Sequence, residues 1–250
     1  MINLNYKVIG KGEKKVLFLH ELMGDCRNYE PMFPFLDKEN FTYIFIDLRG
    51  YGLSKNIEGE YNLEEASTDV INLISKLNFD EVILAAHSMS TMIAQRVALI
   101  EPKVKKLILT TPISASGIKV PEIQKKSLIR KMSENKRAVE QIVISSSRRY
   151  NQTWRDYRID MGYNSSLSEA RASYMNMYLN TTEIENEINE NIEVTIIIGK
   201  NDSAVFSKKE TEKNFSKYKN INIIECQEAG HYPMIECPVF FATQIENSCK

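Results

Sequence analysis

Three histidines occur in the chain, His20, His87 and His231, so any chemistry that needs an imidazole must use one of them. Ser88 follows the apolar run from Glu81 to Ala86 and precedes a helical pattern, which sets it on a strand-to-helix turn. Such a turn lifts a serine hydroxyl off a sheet to where a base can reach it, and its usual form is G-x-S-x-G. The flanking residues must be small because strand and helix approach closely there. Here the pattern is Ala86-His87-Ser88-Met89-Ser90, small on both sides but without glycine. A serine that merely caps a helix fits the same pattern. The local sequence leaves both readings open.

The elements that would position these residues can be read from the apolar periodicity. Short aliphatic runs with strand character lie at Lys15 to His20, Thr42 to Asp47, Glu81 to Ala86, Val104 to Thr110, Val194 to Gly199 and Ile221 to Cys226. Most are nearly continuous in Val, Ile, Leu and Phe, as parallel strands buried on both faces require. The N-terminal residues Met1 to Lys7 alternate as a strand would. Between the runs lie helical patterns. Asn62-Leu63-Glu64-Glu65 opens one with a capping-box-like start, Ser88 to Ile100 reads as a second, and a last one starts at Pro238. Alternating strands and helices predict an α/β class with a mainly parallel sheet.

The alternation breaks between Ile113 and Asn186, which has helical stretches and no convincing strand. Most of the arginines, the only tryptophan (Trp154) and five tyrosines fall there, and basic residues outnumber acidic ones. A helical insertion of this kind reads as a cap over a site. The expected division is a core of residues 1–112 and 187–250 with an inserted helical cap over 113–186.

Five landmarks then fall in a recognisable order. His20-Glu21-Leu22-Met23-Gly24 resembles the H-G-x-x-G loop of the α/β-hydrolase superfamily, and Asp47-Leu48-Arg49-Gly50-Tyr51-Gly52-Leu53-Ser54 its D-x-R-G-x-G-x-S turn. Ser88 takes the place of its nucleophile. Gly199-Lys200-Asn201-Asp202 resembles its acid loop, and Gly230-His231-Tyr232-Pro233 its G-H-x-P loop. Over residues 15 to 238 the chain is similar to capped serine hydrolases of that superfamily, in the esterase, lactonase and haloperoxidase-like branch. The resemblance implies an eight-stranded-type, mainly parallel sheet with helices on both faces and a helical cap after the sixth strand. It implies Ser88 as nucleophile, His231 as general base and Asp202 as the acid that orients it, with the backbone N–H groups of Leu22 and Met89 as oxyanion donors. No cofactor and no metal is implied.

Glu21 departs from the pattern, standing where the superfamily usually has glycine. It is expected to face outward and pair with a cation; the alternative is contact with a polar substrate group or the cap. Glu21, Trp154, Tyr157 and Arg158 are the candidates for the substrate pocket. Arg148, Arg149, Arg155 and Arg158 form a cluster that would either decorate solvated helix faces or bind a substrate carboxylate. His20 and His87 are expected to pack and hydrogen-bond around the turns without moving protons.

Composition removes several other classes. The chain has 250 residues, 43% hydrophobic and 26% charged, with a formal net charge of -1. That excludes disorder and gives no reason to expect nucleic acid or an anionic membrane as partner. No apolar run approaches the length of a membrane span, and the N-terminus does not read as a secretory signal. The four cysteines lack metal-site spacing and read as free thiols in a cytoplasmic protein. The function expected is hydrolysis of a small carboxylic ester or lactone, with a substrate carboxylate as the ligand the cap arginines would suit. The alternatives are a small-molecule receptor of the same fold, or C–C hydrolysis, thioester hydrolysis or lyase chemistry on the same residues. A serine nucleophile argues against haloalkane dehalogenase or epoxide hydrolase chemistry, for which the superfamily uses aspartate.

Overall fold

The computed structural model describes residues 3–134, 136–146, 149–180 and 188–250. Seven strands form one sheet: β1 (Tyr6–Gly10), β2 (Lys14–Leu19), β3 (Phe41–Ile46), β4 (Val82–His87), β5 (Val104–Thr110), β6 (Glu193–Gly199) and β7 (Asn220–Cys226). Their order is β1-β3-β2-β4-β5-β6-β7, and only the edge pair β1 and β3 is antiparallel. The sheet therefore has seven strands among the described residues, where eight were expected, and the helical insertion follows the fifth. The N-terminal alternation forms its strand a few residues later than read, and Met1 and Ile2 lie outside the described residues.

Side chains alternate across the strands and build two cores. Leu17, Leu19, Ile44, Ile46, Leu84, Ala86, Leu107, Leu109, Ile196 and Ile198 face one way and pack with α1 (Leu63–Leu77) and α2 (Ser90–Ile100). Val16, Phe18, Tyr43, Phe45, Ala85, Ile108 and Ile197 face the other way. They meet Tyr29 and Met32 of the 3-10 segment Cys26–Phe35 and Phe241 and Ile245 of the helix Pro238–Ser248. Burial on both faces explains why these strands are continuous apolar runs. Helix α1 starts as read, with Asn62 Oδ1 accepting the Glu65 N–H at 2.9 Å. It ends on Asn78 in the left-handed conformation, one of the few residue types that enters it readily.

Among the described residues, four helices lie between β5 and β6: α3 (Glu122–Glu134), α4 (Lys136–Ser146), α5 (Gln152–Asn164) and α6 (Ser168–Asn180). Their apolar faces join the sheet's core through Met132, Val139, Val143, Ala170 and Met175. The segment between α5 and α6 is stitched to the Asp47–Ser54 turn. Gly52 N–H donates to Ser165 O at 2.7 Å, and Leu167 N–H donates to Gly50 O at 2.9 Å. The boundary expected at residues 186 and 187 lies outside the described residues. Three more helices, α7 (Lys208–Asn214), α8 (Pro233–Glu236) and α9 (Pro238–Ser248), complete the described chain. Among the described residues, no helix is long and apolar enough to cross a membrane.

Candidate active site

The site lies at the C-terminal ends of the parallel strands, where the connecting loops of open α/β sheets converge. Ser88 sits between β4 and α2 with φ at +52°, a left-handed conformation that costs energy in a non-glycine residue. Its N–H donates to Thr110 O at 3.0 Å, so neighbouring β5 holds the turn. Helix α2 begins without a side-chain cap. The capping alternative for Ser88 is thereby removed, because its hydroxyl points at His231 instead.

His231 lies on the loop after β7 and Asp202 on the loop after β6. These loops are pressed together: a Cβ on Gly199 would lie 2.0 Å from Gly230 O, so only glycine fits there. Asn201 N–H donates to Ala229 O at 2.9 Å and locks the two backbones. His231 Nε2 is 3.2 Å from Ser88 Oγ, and His231 Nδ1 is 2.7 Å from Asp202 Oδ2. An ionised carboxylate only accepts hydrogen bonds, so Nδ1 carries the hydrogen and Nε2 is free to accept from the serine hydroxyl. Ser203 N–H donates to the other Asp202 oxygen at 2.6 Å. Burial lowers the pKa of His231, but the charge and hydrogen bond of Asp202, with further help from Glu21 and Glu236, outweigh it. The net value lies above the ordinary 6.5.

The histidine loop is held by side chains that the sequence pattern left unassigned. Glu236 Oε2 accepts the Gly230 N–H at 2.7 Å and its Oε1 accepts the Tyr232 N–H at 2.9 Å, so one carboxylate grips the amides on both sides of His231. Tyr150 Oη, ahead of α5, donates to Glu236 Oε2 at 2.7 Å. The Phe206 ring packs 4.8 Å from the His231 ring. Glu236 stands at a short distance after the Gly-His motif, the one sequence signal that could have marked it. Phe206 carried none, and Tyr150 was marked only as one of the five tyrosines of the helical insertion.

The other two histidines pack and hydrogen-bond around the turns. His20 Nε2 accepts the Leu48 N–H at 3.1 Å, so its Nδ1 carries the hydrogen and donates to Glu21 O at 2.8 Å. His87 donates through Nε2 to His231 O at 2.8 Å, and burial holds its pKa well below 6.5. Ser90, at the position usually glycine, donates its hydroxyl to His20 O and so ties α2 to the loop after β2. Asp47 accepts from Leu53 N at 2.8 Å in its own turn and from Cys26 N at 2.7 Å. It lies near Asp25 and Cys26, but Asp25 is taken by Arg27 at 2.6 Å and burial pushes the Cys26 thiol up.

Ser88, Asp202 and His231 open onto a cavity of about 480 Å³. Leu22 lines it, and Met89 directly follows Ser88 in the chain. Leu22, Met23, Ile113, Ile118, Ile142, Met175, Tyr178 and Phe206 supply its apolar wall, and Arg149 is a cation on its rim. Of the four residues expected in the pocket, only Glu21 lines it. Trp154 packs against Tyr150 and Tyr232. Tyr157 is 49% exposed to solvent. Arg158 is fully buried behind the loop. Glu21 does not face outward; it is buried and pairs with Arg158 at 3.2 Å. Arg158 does not decorate a solvated face; it points inward, as the alternative for the arginine cluster had it, but its partner is a protein carboxylate. Arg148 lies outside the described residues.

A family model described as serine aminopeptidase, S33, matches residues 10–237 of the chain. The chain belongs to this α/β-hydrolase family. Its curated relatives within the α/β-hydrolases include serine hydrolase BPHL of Mus musculus, 30% identical over 91 residues (35% of this chain and 31% of that protein). Another is 2-(acetamidomethylene)succinate hydrolase of Mesorhizobium japonicum, 34% identical over 88 residues (35% and 31%). The chain matches about a third of the length of each. Among solved α/β-hydrolase structures, an esterase from Exiguobacterium antarcticum superposes with a TM-score of 0.86 at 19% identity, covering 98% of this chain and 95% of that one. An enol-lactonase from Burkholderia xenovorans superposes with a TM-score of 0.84 at 19% identity, again covering 98% and 95%. These likenesses carry the fold across nearly the whole chain.

Proposed function

We propose that this α/β-hydrolase cleaves a small carboxylic ester or lactone through an acyl-enzyme on Ser88. The observation that carries the reading is the unbroken hydrogen-bonded line from Ser88 Oγ through His231 to Asp202 at the floor of a cavity. Ser88 Oγ attacks the carbonyl carbon while His231 Nε2 takes its proton. Asp202 holds the ring and stabilises the imidazolium. The amides of Leu22 and Met89 receive the oxyanion, each such donor contributing about 3 kcal/mol to the transition state. His231 then protonates the leaving oxygen. Water, deprotonated by His231, releases the acid and restores Ser88.

The helices between residues 113 and 186 act as the cap in this reading. Their Ile142, Met175 and Tyr178, with Ile118 ahead of α3, form the wall against which an apolar acyl chain would lie. A carboxylate on the substrate would meet Arg149. The four cysteines, all free thiols, support a reducing, cytoplasmic compartment.

The direct test is labelling with a fluorophosphonate probe followed by a panel of esters of graded acyl length. Wild-type protein should label and Ser88→Ala should not. Equal labelling of the two would overturn the assignment, and labelling without turnover of any ester, thioester or lactone would favour a receptor role. The pH dependence has a defined sign. His231 works as a base only when neutral, and its raised pKa keeps it protonated to higher pH than a free imidazole. The acidic limb of kcat/KM for a neutral ester should therefore have its midpoint above pH 6.5. A midpoint at or below that value would contradict the role of Asp202.

A further inference from the structure

Glu21 introduces a buried carboxylate directly before Leu22, in the loop that would receive a negative oxyanion. Its Oε2 accepts the Met23 N–H, and its Oε1 accepts from Asn28 Nδ2 at 3.0 Å and Arg158 Nη2 at 3.2 Å. Arg158 comes from α5 and is among the largest side chains with no solvent exposure. Its Nη1 donates to Asn28 Oδ1 at 2.6 Å and to Met161 Sδ at 3.0 Å, and its Nη2 also donates to Met23 O at 3.3 Å. The guanidinium lies 4.1 Å from the centre of the Tyr232 ring, one residue past His231. One side chain therefore touches the Glu21–Asn28 loop and the histidine loop at once.

A single buried carboxylate at this place would oppose charge developing on the oxyanion, because a low-dielectric site screens poorly. Burying two opposite charges together removes that penalty as long as both are present. We propose that Arg158 is a positioning residue for the reaction: it compensates Glu21 and braces the oxyanion loop against the histidine loop, so that glutamate can replace glycine at position 21. This deepens the hydrolase reading above and rests on Leu22 as an oxyanion donor.

The test compares Arg158→Met, Glu21→Gln and the double variant, using chromogenic ester turnover, fluorophosphonate labelling rate and the pH profile. Arg158→Met should lose about 100-fold in kcat, the order of one oxyanion donor, with KM for a short neutral ester changed less than about threefold. Its acidic limb should move to higher pH, because uncompensated Glu21 joins Asp202 and Glu236 around His231, whose other ring neighbours are His87, Phe206 and Tyr232. Glu21→Gln, which keeps the shape of the network, should move the limb to lower pH. The double variant should regain at least about tenfold of the lost kcat and return the limb toward the wild-type position. If Arg158→Met does not fold, the limb shift of Glu21→Gln and the activity of the double variant still decide. Equal losses in Arg158→Met and the double variant, or no limb shift in Glu21→Gln, would overturn the compensation while wild-type labelling leaves the hydrolase reading intact. Wild-type protein that fails to label would overturn that reading and this one together.

Discussion

Replacing His231 with alanine is expected to lower kcat for a chromogenic ester by about 10⁶-fold, near the loss seen when a nucleophile or base is removed from a triad. The expectation is this large because the fold offers no substitute imidazole. Both ring nitrogens of His20 are engaged by backbone groups. His87 is a poor base, since burial lowers its pKa well below 6.5, and it spends its Nε2 hydrogen on the carbonyl of His231 itself. What remains in the variant is the cavity and the backbone donors, which account for the residual rate over water. Ser88→Ala should lose a comparable amount, and combining the two should cost little more, because they act as one unit. Steady-state kinetics on the three proteins checks this. A His231→Ala variant that keeps a tenth of wild-type kcat would end the proposal.

Asp202→Asn should cost about 10⁴-fold in kcat with little change in thermal stability. The magnitude follows from the tautomer. Asp202 Oδ1 already accepts the Ser203 N–H at 2.6 Å, so the amide oxygen of an asparagine would keep that partner. Its NH₂ would then face His231 Nδ1, which could only accept, and the ring hydrogen would move to Nε2. Nε2 could no longer take the Ser88 proton. Losing the charge that raises the pKa of His231 should also shift the acidic limb to lower pH. The pH-rate profile and the unfolding midpoint together separate this from general damage. A loss under about tenfold would mean that Asp202 only forms its turn.

The residues on strand ends were legible because their constraints are local. A parallel strand buried on both faces must be apolar throughout, as β3 is, with all six residues buried. The turn after it needs small residues where chain segments meet, and the order of serine, aspartate and histidine survives in the linear chain. Helix α1 was equally plain, since its cap at Asn62 and its apolar stripe lie within a few residues of one another.

The helices over the site were not legible in the same way. Tyr157 and Arg158 are adjacent in sequence, yet one is half exposed and the other fully buried. Neighbours on a helix point about 100° apart, and nothing in the pattern says which direction meets the core. Both were expected in the pocket, and neither lines it. Ile118 and Ile142 line it instead, as ordinary apolar positions on the sequence.

Glu21 marks the division most sharply. By itself the sequence determined that a carboxylate stands directly before Leu22, that the chain has three imidazoles, and that Ser88, Asp202 and His231 follow three strand-like runs. Those are facts of residue type and short-range periodicity. Only the tertiary structure decided that Glu21 turns inward, because its partner Arg158 lies 137 residues further along the chain. The same holds for Glu236 gripping the amides on either side of His231 under the hold of Tyr150, 86 residues away. A charge beside a site is tolerated or ruinous according to what packs against it, and packing between distant segments leaves no periodic trace in the chain.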